Sequence, residues 1–340
     1  MRPLRRPRWP VVLAVSFAFA GAGVTYGWET DSGYFAFLPD KANPADKVVH
    51  VPGGKPPPDD SHFYFVDVSL LHANVIQKLW AEHLVEGADL VPEDRILAPG
   101  ESEKERFKQD LGAMVNSQQV AQVVAERALG KPVEILRLGA QIAGVQEGFP
   151  ADKAGIPPGD VVTQANGRPI KSASDLIDVL SRLKVGDRVQ LVLQRSGTKT
   201  LRMAASPDDP TKPIIGVSVA DAVKVGKIPV KVKFSTGSIG GPSAGLAFAL
   251  EIYDALSGRQ LLHGHRIAVT GTLDLEGGVG AIGGVKQKTI GAIDAGADVF
   301  LVPAGDNLRD AKAESDGRID VIGVTSFQQA LTVIRGLPPR

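Results

Sequence analysis

Ser243 stands in the run Gly240-Gly241-Pro242-Ser243-Ala244-Gly245, and about forty residues on, Lys286 and Lys288 flank Gln287 just after Gly283-Gly284. Small neighbours let a carbonyl substrate approach the Ser243 hydroxyl closely. A lysine entering from a second glycine-hinged segment could accept the hydroxyl proton, so that serine and lysine do the work of the serine–histidine pair in other hydrolases. The lysine must then be neutral, because a solvated amine with a pKa near ~10.4 is protonated at neutral pH. Desolvation supplies the shift, and Ala247, Ile282, Val285 and Ala292 are apolar candidates for the surroundings. The apolar run Leu246–Ile252 reads as a helix, which places Ser243 at or near its N-terminus. Backbone N–H groups of Gly241 and Ser243 could there stabilise an oxyanion, aided by the helix dipole. Serine in that place also serves as an ordinary helix cap, and spacing alone does not decide between the two. Nor does periodicity choose between the lysines: on a helix Lys286 and Lys288 project about 200° apart, so only one can face Ser243.

The elements that must hold these residues follow from the flanking pattern. Residues 230–234 alternate like a half-exposed strand, and 267–273 form a strand leading into the glycine-rich stretch 276–284. A helix is expected over 285–295, ending at Gly296, and another strand over 298–303. These blocks, in this order, resemble the proteolytic domain of the Lon family. The chain as a whole resembles the membrane-anchored, PDZ-containing Lon-like serine proteases of bacteria. That resemblance implies that Ser243 is the nucleophile, that Lys288 is the dyad lysine, and that Thr270 in Val269-Thr270-Gly271 supports it. Lys288 would share its helix face with Gly284, Gly291, Ala292 and Ala295, a small-residue surface suited to close packing, leaving Lys286 solvated. Two positions depart from ATP-dependent Lon proteins: Gly240 and Thr272 stand where an acidic residue and a glutamate are usual. Relatives form six-membered rings, which implies a homo-oligomer, with a hexameric ring as its model.

Upstream, residues 131–206 read as strands and turns with one helix. Phe149-Pro150-Ala151-Asp152-Lys153-Ala154-Gly155, Gly159-Asp160-Val161-Val162 and the hairpin signal Asn166-Gly167 resemble the PDZ domains associated with bacterial proteases. Ser174 is expected to cap the helix carrying Leu176, Ile177, Leu180 and Leu183. PDZ domains add an extended peptide to a sheet edge and capture its carboxylate on backbone N–H groups. The loop expected to do so is Leu138, Gly139, Ala140 and Gln141. Residues 206–213 read as a proline-rich linker to the last domain, 214–338.

At the N-terminus Arg2, Arg5, Arg6 and Arg8 precede an uncharged stretch of about 18 residues, Val11 to Trp28, near the lower limit for crossing a bilayer. The arginines place the N-terminus in the cytoplasm and the bulk of the chain outside, on a single-pass anchor in the cell membrane. Ala18-Phe19-Ala20 imitates a signal-peptidase site, but the apolar run continues past it through Val24 and Tyr26, which favours a retained anchor over residues 1–28. Residues 29–130 form an extracytoplasmic segment with short strands from Tyr34 to Val51, a linker at 53–60 and a strand at 62–68. Two helical stripes follow, His72, Ile76, Leu79, Trp80 and His83 first, then Phe107, Leu111, Met114, Val115, Val120, Val123 and Val124. Both read as packing faces. The second helix is expected from the Ser102–Glu105 capping box to Leu129.

The chain of 340 residues has 43% hydrophobic residues, formal net charge zero and no cysteine. That composition excludes disulfides, thiol catalysis and a global field attracting nucleic acid. The fold class expected is α+β: a transmembrane helix, a small α+β segment, a barrel-like PDZ domain with a helix, and a Lon-type proteolytic domain. Gly278-Val279-Gly280-Ala281-Ile282-Gly283 satisfies a dinucleotide-binding pattern, yet no buried apolar strand precedes it, which argues against that use. No P-loop occurs, so the expected function is an ATP-independent serine endopeptidase of extracytoplasmic or membrane-associated proteins, its PDZ domain selecting or gating peptides. It needs no metal or other cofactor. Its partners are peptide substrates, the membrane and copies of itself. The alternative is a non-catalytic, membrane-tethered PDZ adaptor with a protease-like domain.

Overall fold

The computed structural model describes residues 27–58, 61–98, 100–207 and 209–340. The expected anchor therefore lies outside the described residues except for Gly27 and Trp28. Among the described residues, no helix is long and apolar enough to cross a membrane. The chain divides into two compact units, one containing the residues up to Lys131 together with Val230–Arg340, the other Pro132–Pro229. The fold is mixed α/β.

The first unit is built on one six-stranded sheet. Its N-terminal part supplies β1 (Asp31–Pro44), β2 (Phe63–Asn74), α1 (Val75–Leu84), β3 (Asp89–Pro92) and α2 (Glu103–Ala128). The C-terminal part supplies α3 (Gly245–Ser257), β4 (Ile267–Val269), α4 (Val285–Asp294), β5 (Val299–Pro303), α5 (Asp306–Ser315), β6 (Asp320–Val324) and α6 (Phe327–Arg335). The strand order is β6-β5-β4-β2-β1-β3, parallel from β6 to β2 and antiparallel beyond. Phe63 pairs with Ile267 and Phe65 with Val269, so strands from opposite ends of the chain meet at the sheet centre. The sequence reading set 29–130 and 214–338 apart as separate segments; the structure instead joins most of both in one unit, because β4–β6 need β2 and β1 to complete the sheet.

Strand alternation distributes the core to two faces. Phe63, Phe65, Ile267, Val269, Val299 and Leu301 face a cluster with Leu246, Phe248, Leu250 and Ile252 of α3. Val66, Ala268, Phe300 and Val302 face the other side, with Val285 and Ala292 of α4 and Ala311 of α5. α3 is buried from Gly245 to Ala255, as a helix apolar on nearly every side must be. α2 starts at the capping box expected from the sequence, with Ser102 and Glu105 bonding reciprocally. Both expected helical packing stripes fail in part: on α2, Phe107 and Val115 are exposed, and the first stripe is broken as well. His72 belongs to β2, which runs on to Asn74, and α1 buries Ala81 against Ala36 and Ala73. Leu79, Trp80 and Leu84 on α1 are 47%, 44% and 77% exposed, not packed.

The second unit has an antiparallel sheet in the order Val217–Val225, Ile135–Val145, Val161–Ala165, Arg188–Leu193, Gly197–Arg202. Asn166 and Gly167 take φ of 48° and 75°, the left-handed pair a two-residue hairpin needs. The helix Ala173–Ser181 is capped by Ser172, whose hydroxyl accepts from the Asp175 N–H; Ser174 lies inside the first turn. The expected linker at 206–213 ends inside the strand Pro213–Ile214, which pairs with Ala204–Ala205. Because Val217–Val225 pairs with Ile135–Val145, the second unit extends to Pro229 and does not stop at residue 206.

Candidate active site

Ser243 lies in the turn before α3. Its carbonyl oxygen accepts from the Gly271 N–H at 2.8 Å and from the Thr270 hydroxyl at 3.3 Å, which fastens the turn to the end of β4. From the other side α2 clamps the loop, the Ser117 hydroxyl donating to the Pro242 carbonyl at 3.0 Å. A Cβ at Gly245 would sit 2.8 Å from the Ser117 oxygen, so a larger residue there would push against this clamp. Ala244, not Ser243, is the N-cap of α3, and no side chain caps that helix. The Ser243 hydroxyl is thus free of capping duty.

Lys288 reaches it from α4. Lys288 Nζ donates to Ser243 Oγ at 2.6 Å and to Thr270 Oγ1 at 3.4 Å, with Lys288 4% exposed and Thr270 fully buried. Burial lowers the Lys288 amine to a pKa of about 8, while the nearby Asp67 charge acts in the opposite direction. Lys286 is exposed on the other side of the helix. Ser243, Lys288 and Thr270 are therefore together. Of the two backbone groups expected around an oxyanion, Gly241 does not qualify as it stands, because its N–H donates to the Asp110 carbonyl at 2.8 Å. The N–H of Ser243 has no backbone acceptor among the described residues.

Asp67 on β2 is the group that sequence reasoning missed. Burial and then the Asp40 charge push its carboxyl up, partly offset by Lys288. Asn43 Nδ2 donates to Asp67 Oδ1 at 3.3 Å, and the Ser69 hydroxyl holds Asp40 at 2.6 Å. No local signal in Val66-Asp67-Val68 distinguishes this aspartate from a solvent-facing strand residue. Ser243, Lys288, Asp67 and Asp40 line one cleft of about 760 Å³. Phe35, Phe37, Leu70 and Phe107 give it apolar wall. Charged and polar side chains, among them Glu103, Arg106 and Asp110, share the lining with that apolar wall.

At its rim His72 Nε2 lies 3.2 Å from Asp31 and Nδ1 lies 2.5 Å from Glu103. Asp31, His72 and Glu93 are the group among the described residues whose ligand atoms, within 4.8 Å of one another, could hold a metal ion. The Asp31 and Glu93 side chains are 58% and 42% exposed.

In the second unit, the expected peptide-binding loop is misplaced. Leu138, Gly139, Ala140 and Gln141 lie inside strand Ile135–Val145, where Ala140 pairs with Asp221 on one side and Val162 on the other. A strand paired on both edges cannot accept a peptide. The sheet ends on one side in Gly197–Arg202 and on the other in the edge strand Val217–Val225. Beside it a groove of about 690 Å³ runs between Ile177, Leu180 and Ser181 of the helix and Ile214–Ser218. Asp221 ties that helix to the strand by accepting from the Ala173 N–H at 2.6 Å. Gly216, with φ of 76°, lets the backbone turn under Phe149, whose Cβ would meet any Cβ there at 2.1 Å. The Ile214-Ile215-Gly216-Val217 stretch was the available signal, an apolar–glycine turn entering a strand.

The chain matches a family described as PDZ domain over residues 110–203. The match overlaps the second unit from Pro132 onward; the unit also takes in the edge strand. Among curated relatives, the Lon protease of Mesomycoplasma hyopneumoniae is 43% identical over 91 residues, 26% of this chain and 10% of that one. The Do-like serine protease HtrB of Bacillus subtilis is 38% identical over 90 residues, 26% of this chain and 20% of that one. Lon protease 2 of Herpetosiphon aurantiacus is 27% identical over 187 residues, 54% of this chain and 22% of that one. The chain thus spans between a tenth and a quarter of the length of these relatives. It carries a PDZ domain and is similar over part of its length to proteins named Lon protease and Do-like serine protease.

Proposed function

We propose that the chain is a serine endopeptidase of the Lon-like kind, with Ser243 as nucleophile and Lys288 as base. It works without ATP, is held in the cell membrane by its N-terminal segment, and acts outside the cytoplasm on extracytoplasmic or membrane-associated proteins. One observation carries the reading: a buried amine with a pKa of about 8 lies 2.6 Å from a serine oxygen in an open cleft. Neutral Lys288 takes the hydroxyl proton as Oγ bonds to the peptide carbonyl carbon. The Ser243 N–H faces the developing oxyanion. The leaving amine then recovers the proton from Nζ as the C–N bond breaks. Lys288 next deprotonates a water that attacks the acyl ester, releasing the new carboxylate and Ser243. Thr270 holds the amine and the Ser243 carbonyl in register. The groove beside Val217–Val225 supplies peptide selection by strand addition.

The test is labelling of the full chain with a peptidyl boronate or a serine-reactive phosphonate. Modification should map to Ser243, vanish in Ser243→Ala and Lys288→Ala, and persist in Lys286→Ala. Absence of Ser243-dependent labelling from neutral to alkaline pH would instead leave a membrane-tethered PDZ adaptor.

A further inference from the structure

α1 is packed the wrong way round for a helix that faces only water. Its buried side is the small residue Ala81, set against Ala36 and Ala73, while its bulky apolar residues Leu79, Trp80 and Leu84 are exposed. Surface helices of globular units do the reverse, and clustered exposed apolar residues mark a surface that something covers. The same face carries Ile76, three and four positions before Leu79 and Trp80. Against Ile76 lies Gly27: a Cβ at Gly27 would be 3.0 Å from Ile76 Cδ1. The next residue, Trp28, is 59% exposed, and the Thr30 carbonyl accepts from the Val75 N–H at 3.0 Å at the start of α1. The point where the uncharged N-terminal run ends is therefore fixed to the exposed face of α1.

We infer that this face of α1, with Trp28, rests in the headgroup region of the lipid bilayer from which the chain emerges. The inference rests on the membrane-anchored reading above. From Ile76 to Leu84 the helix advances about 12 Å, so its whole apolar face stays close to the point of exit. Tryptophan favours the interface, where its ring is apolar and its N–H is wet, and an amphipathic helix lies there with its apolar side immersed. His83 is the one polar residue exposed within this face; the exposed acidic charges nearby are Glu29, Glu82 and Glu86, while Lys78 is turned onto the Tyr34 ring at 3.7 Å. An acidic rim makes the contact apolar in origin. It gains nothing from anionic lipid and is insensitive to salt. Docking would hold the first unit at a set height and orientation above the membrane, with β2, which carries Asp67, leading directly into the docked helix.

The chain has tryptophan only at positions 9, 28 and 80, so two double variants isolate the reporters. Full-length Trp9→Phe/Trp28→Phe, retaining Trp80, and Trp9→Phe/Trp80→Phe, retaining Trp28, are placed in nanodiscs containing lipids with nitroxides at shallow or deep positions. The expected result is quenching of both reporters, stronger from the shallow label, and unchanged when anionic lipid or salt is added. Adding Leu79→Ser and Leu84→Ser to the Trp80 reporter should abolish its quenching while circular dichroism stays the same. Quenching of Trp28 without Trp80 overturns the docking and leaves the anchor standing. Quenching of neither overturns the anchor and the docking together. Trp80 unquenched by lipid but shielded from aqueous quencher as protein concentration rises assigns the face to self-association and also overturns the proposal.

Discussion

Gly291 on α4 lies so close to the backbone of Asp40 on β1 that a Cβ there would meet the Asp40 carbonyl oxygen at 2.3 Å. This contact seats α4 against the β1–β2 pair and so sets where Lys288, one turn earlier, can reach. Gly284, the N-cap of α4 at φ 66°, makes a second such contact, with Val68 at 2.9 Å. Gly291→Ala should therefore destabilise the fold by roughly 1–3 kcal/mol and lift Lys288 off Ser243. Denaturant melts and Ser243 labelling on the same preparation check this; retained labelling at wild-type rate would show that α4 is not held by this contact.

The pH dependence has a fixed sign. With Lys288 at about 8, roughly one amine in ten is neutral at pH 7, and nearly all are at pH 9. Ser243 labelling and peptide cleavage should rise about tenfold between those values and level off above. A rate that stays flat from pH 6 to 9 would remove Lys288 as the base.

Lys288→Met should abolish cleavage yet stabilise the protein. The folded pKa is below that of the unfolded chain, so between about pH 8 and 10.5 the unfolded state binds more protons and wild-type stability rises with pH. Below pH 8 the buried ammonium carries the full penalty. The methionine variant escapes it, with a gain of roughly 1–3 kcal/mol at pH 7 that disappears toward pH 10. Chemical denaturation at the two pH values measures it.

Asp67→Asn removes the negative charge that favours the Lys288 ammonium. The acid limb of the rate profile should move to lower pH, by up to about one unit, with the maximal rate less affected. A shift to higher pH would mean that Asp67 acts on the lysine in some other way.

For the second unit, Ile177→Asp should weaken binding of an apolar peptide with a free C-terminus by about tenfold or more, as expected for loss of one buried aliphatic contact. Leu138→Ser should leave it unchanged. Titration of fluorescent peptides compares the two, and the opposite ranking would return the peptide to the Leu138–Gln141 strand.

The sequence by itself determined what local pattern can encode. The Ser102–Glu105 box starts α2, glycines at 258 and 296 end or follow helices, and the Asn166-Gly167 turn sits where its dipeptide demands. It also offered Ser243 with two lysines in reach of one helix turn. Periodicity could not choose between those lysines; the family resemblance pointed to 288, and the packing of α4 on β1 and β2 is what buries 288 and leaves 286 in solvent. Asp67 was invisible for the same reason: a strand residue gains its neighbours from pairing across the chain, and Phe63 and Ile267 meet from some two hundred residues apart. The edge of the PDZ sheet and the outward face of α1 were likewise decided by tertiary contacts. Hydrophobic spacing says which residues share a side of a helix or strand, but not whether that side meets protein, peptide or lipid.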